Sequence, residues 1–370
     1  MRDAVLPFAL LVAACSFREV PELGAMSAAA TGVPLRKLIT IDPAKVSGGQ
    51  VQFPVWIRID GDVDLRANAS EQGDDIYFAL GDGSTPPFEI QRWDQAGGHL
   101  EAWVRLDLDD TAPTVFELRY GDPSTAQAPA PRQVFSSSFT AVWHLDDPLA
   151  PGGGDAPVAD AVELHAGTAT GLDAANQVTA QLGGGIDFKG NDQRINFLGL
   201  PLSGNSDHTI SAWVNQRTGA GFDTIITMGN PVNQQSRWLH SHDTDGQLSA
   251  GFFGNDWNGT ALPSIDDTGW VLLHWTYKAS DRQSHIYRNG VDIGTHTFNS
   301  GVNTQGTDGN LGYAPMQWGP GGTEPVALDG TLDEVRVSTA ERSSGWIATE
   351  YANQSSPQTF YAVGAESPIL

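Results

Sequence analysis

The chain has 370 residues, with 42 Gly, 22 Pro and 11 Trp but only 17% charged residues. That mix excludes a helical bundle and a disordered chain and points to strands joined by many turns, at a length that suits two domains. A net charge of -24, from 20 basic and 44 acidic side chains, repels a phosphate backbone, so no nucleic-acid partner is expected.

Cys15 is the only cysteine, which excludes an internal disulfide framework and a cysteine-based zinc site. The apolar run 4–14 is too short to span a bilayer and fits the core of a secretory signal. It ends Leu11-Val12-Ala13-Ala14-Cys15, which resembles the bacterial lipobox. The resemblance implies a signal peptide over 1–15 and lipidation of Cys15, with Ser16 directing the protein to the outer membrane or cell surface. More than one acyl chain on Cys15 suffices for stable anchoring, so the membrane is met through the lipid anchor only. Residues 16–33 read as a flexible tether.

Period-two alternation starts at Arg36-Lys37-Leu38-Ile39-Thr40-Ile41 and recurs through residues 51–59, 76–80, 88–93, 100–106 and 115–120. Short strands with Gly, Asp and Pro between them predict an antiparallel β-sandwich over 34–125. Residues 126–138, with Pro129 and Pro131, read as a Pro/Ala linker. A second domain is expected over 139–366. Its clearest element is a hairpin turning on Asn289-Gly290, since both central residues of a type I′ turn need positive φ. Trp143, Trp213 and Trp275 sit in alternating strands and read as core, and 344–351 reads as a short helix.

Four ordered blocks then carry a resemblance. They are Gly185-Ile186-Asp187-Phe188-Lys189-Gly190 with residues 209–214, Trp270 with 273–277, the hairpin 286–290, and the closing block 328–337. Together they resemble the laminin-G-like/concanavalin A-like lectin superfamily, which implies an antiparallel jelly roll. The first half resembles the DUF2341 group through residues 36–41, 73–78, 89–94, 102–104 and 119–123. That resemblance implies an exported setting and no known chemistry. The expected fold class is all-β, with two antiparallel β-sandwich domains.

Three constellations bear on function. The jelly-roll resemblance implies that Ca²⁺, a hard ion seeking several oxygens, is held by Asp160, Asp333, Glu334 and Asp146. Asp243-Thr244-Asp245-Gly246 reads as a turn, and His240 and His242 as strand residues on one face. Trp257, Trp318 and Trp238 stand in Gly-rich polar stretches beside Asn255 and Asp256, the pattern of loop aromatics that stack on sugar rings. Asp333 and Glu334 are adjacent and point to opposite faces, so they are not the facing carboxylates of a glycosidase. GxSxG, HExxH and P-loop motifs are absent from the sequence. The sequence therefore favours a surface lipoprotein that binds a glycan or a surface protein. An envelope spacer and a polysaccharide-active enzyme are the alternatives.

Overall fold

The computed structural model describes residues 32–369 except 136–137, 218–221, 242–246, 259–261 and 319–323. Cys15, most of the tether, His242 and the 243–246 turn lie outside the described residues.

The first sandwich pairs two antiparallel sheets. One holds Gln50–Ile59, His99–Leu108 and Phe88–Asp94. The other has Leu35–Ile41 beside Thr114–Tyr120, with Tyr77–Ala79 beyond. Alternation sets the faces: Leu35, Ile39 and Ile41 are buried and Leu38 is exposed. Lys37 shares the inward face, where Asp62 and Asp64 each meet its ammonium at 2.8 Å.

Two boundaries differ from the sequence reading. Tyr361–Val363 and Ser367–Pro368 pair with Leu35–Ile41, so the end of the chain completes the first sandwich, not the second. The second sandwich is thus inserted into the first. The far part of the expected linker is packed, with Val134 and Phe135 fully buried, while 126–129, 132 and 133 are exposed. Phe135 lies edge-on to Trp103 at 5.7 Å and to Phe139 at 5.8 Å.

The second sandwich holds two eight-stranded sheets. Its middle sheet centres on Asp329–Ser338, His208–Gln216 and Val271–Lys278. The Asn289-Gly290 turn closes the hairpin at its edge, with φ of 53° and 80°. The outer sheet runs, in spatial order, through Asn255–Asn258, Leu248–Phe252, Ser236–Ser241, Asp223–Gly229, Gly309–Leu311, Arg194–Phe197, Gly167–Thr170 and Ala156–Val158.

The middle sheet is buried on both faces. Trp143, Ala212, Val214, Leu273 and Trp275 face the outer sheet within one core. Val142, Trp213, Leu272 and Tyr287 face the other way, into a core shared with Trp56, Trp103 and Phe53 of the first sandwich. Helix Ser344–Ser355, capped by the Ser343 hydroxyl, contributes Trp346 and Ile347 to that shared core. Its Gln354 accepts from the Trp213 indole N–H at 2.7 Å. The outer sheet lies on the far side of the middle sheet from the first sandwich.

Candidate functional site

Directly opposed residues of antiparallel strands share a face, and neighbours along a strand alternate. One row of the outer sheet reads Ala156, Ala169, Ile195, Leu311, Ile226, Leu239, Ala250 and Trp257, all in the core. The outward row beside it reads Thr168, Asn196, Asn310, Thr227, Trp238, Gly251 and Asp256. Apolar side chains go in, and amides, hydroxyls, one indole and the Asp256 carboxyl go out.

The outward face has a cavity of about 260 Å³. Asn196, Thr227, Asn310 and Ser236 line it with polar groups, and Leu198, Pro231 and Pro315 with apolar ones. Pro315 belongs to the hairpin Tyr313–Trp318 and Glu324–Ala327, which packs beside the sheet. Ser236 is 1% exposed and Trp238 3%, yet among the described residues neither the Ser236 hydroxyl nor the Trp238 indole N–H has a hydrogen-bond partner. Asp256 Oδ1 is likewise buried without a partner among the described residues, and burial pushes the Asp256 carboxyl up from the usual carboxylate range. Gly251 separates Trp238 from Asp256 in the row. A Cβ there would fall 2.9 Å from the Asp256 backbone, so the close strand approach requires glycine.

The aromatic reading is corrected at Trp257. It lies on a strand, points inward, is 7% exposed and stacks on His296 at 5.4 Å, so it is core and no sugar platform. Its Gly- and Asn-rich flanks suggested a loop, whereas Asn255 and Asn258 are the ends of a short edge strand. Trp238 is also not on a loop; it stands in the outward row with its ring 4.3 Å from that of His240. Asn255 is buried, and its amide exchanges two 3.2 Å hydrogen bonds with the Asn299 backbone, which braces a loop. The backbone of Trp318 pairs with Glu324; its side chain lies outside the described residues.

The four carboxylates expected to hold calcium do not make one oxygen-rich cage. Among the described residues, no three His, Cys, Asp or Glu side chains converge as a metal site. Both Asp160 oxygens are committed to backbone N–H groups, those of Val142, Val162, Leu164 and His165 at 2.8–3.0 Å. The other three do gather, because the strand Phe139–Trp143 pairs with Asp329–Ser338. Glu334 is paired with cations of the protein itself, whereas Asp333 accepts from Leu182 N at 2.7 Å. Glu334 meets His144 Nδ1 at 2.6 Å and Arg336 at 2.7 Å. Burial opposes its ionisation, but His144 and Arg336 outweigh it and hold the carboxyl low. Burial and the neighbouring Glu334 charge push Asp333 well up, toward the protonated form that ligates calcium poorly.

These groups join the two sandwiches. His144 Nε2 lies 3.3 Å from Glu89 of the first sandwich, and the Arg336 guanidinium stacks on Trp103 at 4.3 Å. Arg336 continues to Glu350 at 2.9 Å, and Glu350 to His274 at 2.9 Å. Above this network opens a polar cleft of about 520 Å³ lined by Gln91, Glu101, Asp146 and Gln177. There Gln91 donates to Asp146 at 2.8 Å and accepts from the Trp103 indole N–H at 2.8 Å. Burial raises the Asp146 pKa.

The sequence reading missed Thr168, Asn196, Thr227, Ser236 and Asn310. Their signal was the polar phase of each alternating strand. The three central strands come from residues 194–197, 223–229 and 309–311, so only the sheet order brings them together.

No curated protein matches the chain. Similar solved structures include domain 4 of an extracellular arabinanase from Geobacillus stearothermophilus, in complex with arabinotriose. That likeness has 18% identity and a TM-score of 0.40, covering 58% of this chain and 98% of that one. Another is the CBM40 of a Ruminococcus gnavus sialidase bound to alpha2,3 sialyllactose, with 14% identity, a TM-score of 0.33 and coverage of 40% and 83%. A third is a pentraxin from Limulus polyphemus, with 15% identity, a TM-score of 0.34 and coverage of 44% and 78%. Residues 189–348 match the family model described as the concanavalin A-like lectin/glucanases superfamily. The chain is therefore all-β, and its second sandwich is a concanavalin A-like jelly roll.

Proposed function

We propose that the protein binds saccharides on the outward face of the outer sheet and does so at the cell surface, held there through Cys15. The observation that carries the reading is the buried Ser236 hydroxyl and Trp238 indole N–H, both without partners among the described residues, on a face that also presents the Asn196, Asn310 and Thr227 side chains. Leaving such groups unmade costs about 1–3 kcal/mol each, and unsatisfied buried groups in a folded protein call for a functional explanation. Sugar hydroxyls supply the missing partners. The jelly-roll fold of the second sandwich is compatible with this role, and the sequence before Ser16 supports the anchor.

The test is a panel of immobilised glycans probed with the full chain and with the double variant Thr227→Val/Asn310→Ala. Retention on at least one saccharide, lost in the variant, is the expected result. Retention on none, or on the same glycans by both proteins, refutes the assignment to this face. A rigid envelope spacer is the second reading, favoured by the core and ion network that lock the two sandwiches together.

A further inference from the structure

We propose that the outward cavity takes the acetamido group of an N-acetylated sugar; this rests on the saccharide reading and specifies its ligand. At about 260 Å³ the cavity is below the size of pockets that enclose a drug-sized ligand, so it suits one substituent and its ring edge. Its lining is divided. Leu198, Pro231 and Pro315 give an apolar wall, and Leu198 is 67% exposed at its rim. Ser236 offers a buried hydroxyl with no partner among the described residues, and Asn310 an amide.

Three kinds of substituent meet that lining differently. A hydroxyl satisfies Ser236 but loses its water against the apolar wall, at a cost in binding. A bare methyl, as in a deoxy sugar, fills the wall and leaves Ser236 unpaired. An acetamido group brings a methyl for the wall together with an amide N–H and C=O for Ser236 and Asn310. Asp308 also lines the cavity, and its Oδ1 accepts from Gly199 N at 3.1 Å. A carboxylate there disfavours acidic sugars and makes the de-acetylated, cationic amino sugar the competitor to exclude.

The experiment is calorimetric titration of the full chain with tetramers of N-acetylglucosamine and N-acetylgalactosamine. Each is compared with its de-acetylated tetramer and with O-acetylated and plain glucose tetramers. One N-acetylated tetramer is expected to bind at least about tenfold more tightly than all unacetylated ones, the scale of discrimination set by one methyl group in an apolar pocket. Ser236→Ala and Leu198→Asp should each abolish that preference with the thermal midpoint held, because one removes an unpaired hydroxyl and the other changes an exposed residue. Equal binding of acetylated and plain sugars leaves the saccharide reading standing and overturns this one. So does a preference that survives both substitutions, or an O-acetylated tetramer bound as tightly as the N-acetylated ones. Binding to no saccharide in this set or in the glycan panel overturns both readings together.

Discussion

Asn353 acts as a strand partner for Trp56. Its side-chain carbonyl accepts from the Trp56 backbone N–H at 2.7 Å, and its amide donates to the Trp56 carbonyl at 3.0 Å. The strand Gln50–Ile59 is the edge of its sheet, and one buried amide from the helix satisfies both backbone groups there. Two residues on, the Tyr361 hydroxyl repeats the device, accepting from Arg58 N at 2.6 Å and donating to Arg58 O at 2.9 Å.

Asn353→Ala strands a buried donor and a buried acceptor. Unfolding in denaturant should show a loss of roughly 2–6 kcal/mol, the cost of two unsatisfied backbone groups. A loss under half a kilocalorie would mean that water replaces the amide.

His144 predicts a pH dependence. Burial alone would lower its pKa, but Glu334 and Glu89 outweigh burial and hold it well above the ordinary histidine value. A raised folded-state value means that the bridge is fully stabilising below the unfolded pKa of about 6.5, and that this contribution fades as pH climbs through the raised one. Glu334, held low, loses its share only when acid protonates it. The gap in thermal midpoint between the wild type and His144→Gln should therefore be widest on the acid side of neutrality and shrink toward alkaline pH. A constant gap would show that His144 matters through packing alone.

The two tryptophans of the outer sheet should behave differently. Trp257→Ala empties a core position and should cost about 3–5 kcal/mol. Trp238→Phe keeps a six-membered ring but removes the N–H that has no partner among the described residues, together with part of the buried indole. Stability should fall by less than in Trp257→Ala, because a ring remains, while saccharide affinity falls. Unaltered affinity in Trp238→Phe would remove the indole from the proposed site.

Cys15→Ser should move the protein from the membrane fraction to the soluble fraction of an expressing cell. An unchanged membrane fraction would contradict lipid anchoring at this residue.

Much of the fold was legible in the sequence because its signals are local. Alternation marks strands, Asn289-Gly290 marks a hairpin, and Trp143 and Trp275 sit at apolar phases of their strands and are core. Trp213 is buried as well, but toward the first sandwich, a choice of face that depends on the whole assembly. Phe135 was hidden among prolines, and Lys37 occupies an inward position that only Asp62 and Asp64 make tolerable. The site was the least legible part. Asn196, Asn310 and Thr227 are neighbours only because strands distant in sequence lie side by side.

The return of the chain to Leu35–Ile41 bears on how the molecule can be divided. Ile369 N donates to Pro34 O at 2.9 Å, so the two ends of the described chain leave from one corner. A fragment cut at 34–125 loses the strands that complete its sheet, and one cut at 139–366 carries Tyr361–Val363 away without its partner and omits Ser367–Pro368. The jelly roll is an insertion that its host cannot shed: taking it out would expose the face that Val142, Trp213, Leu272 and Tyr287 cover.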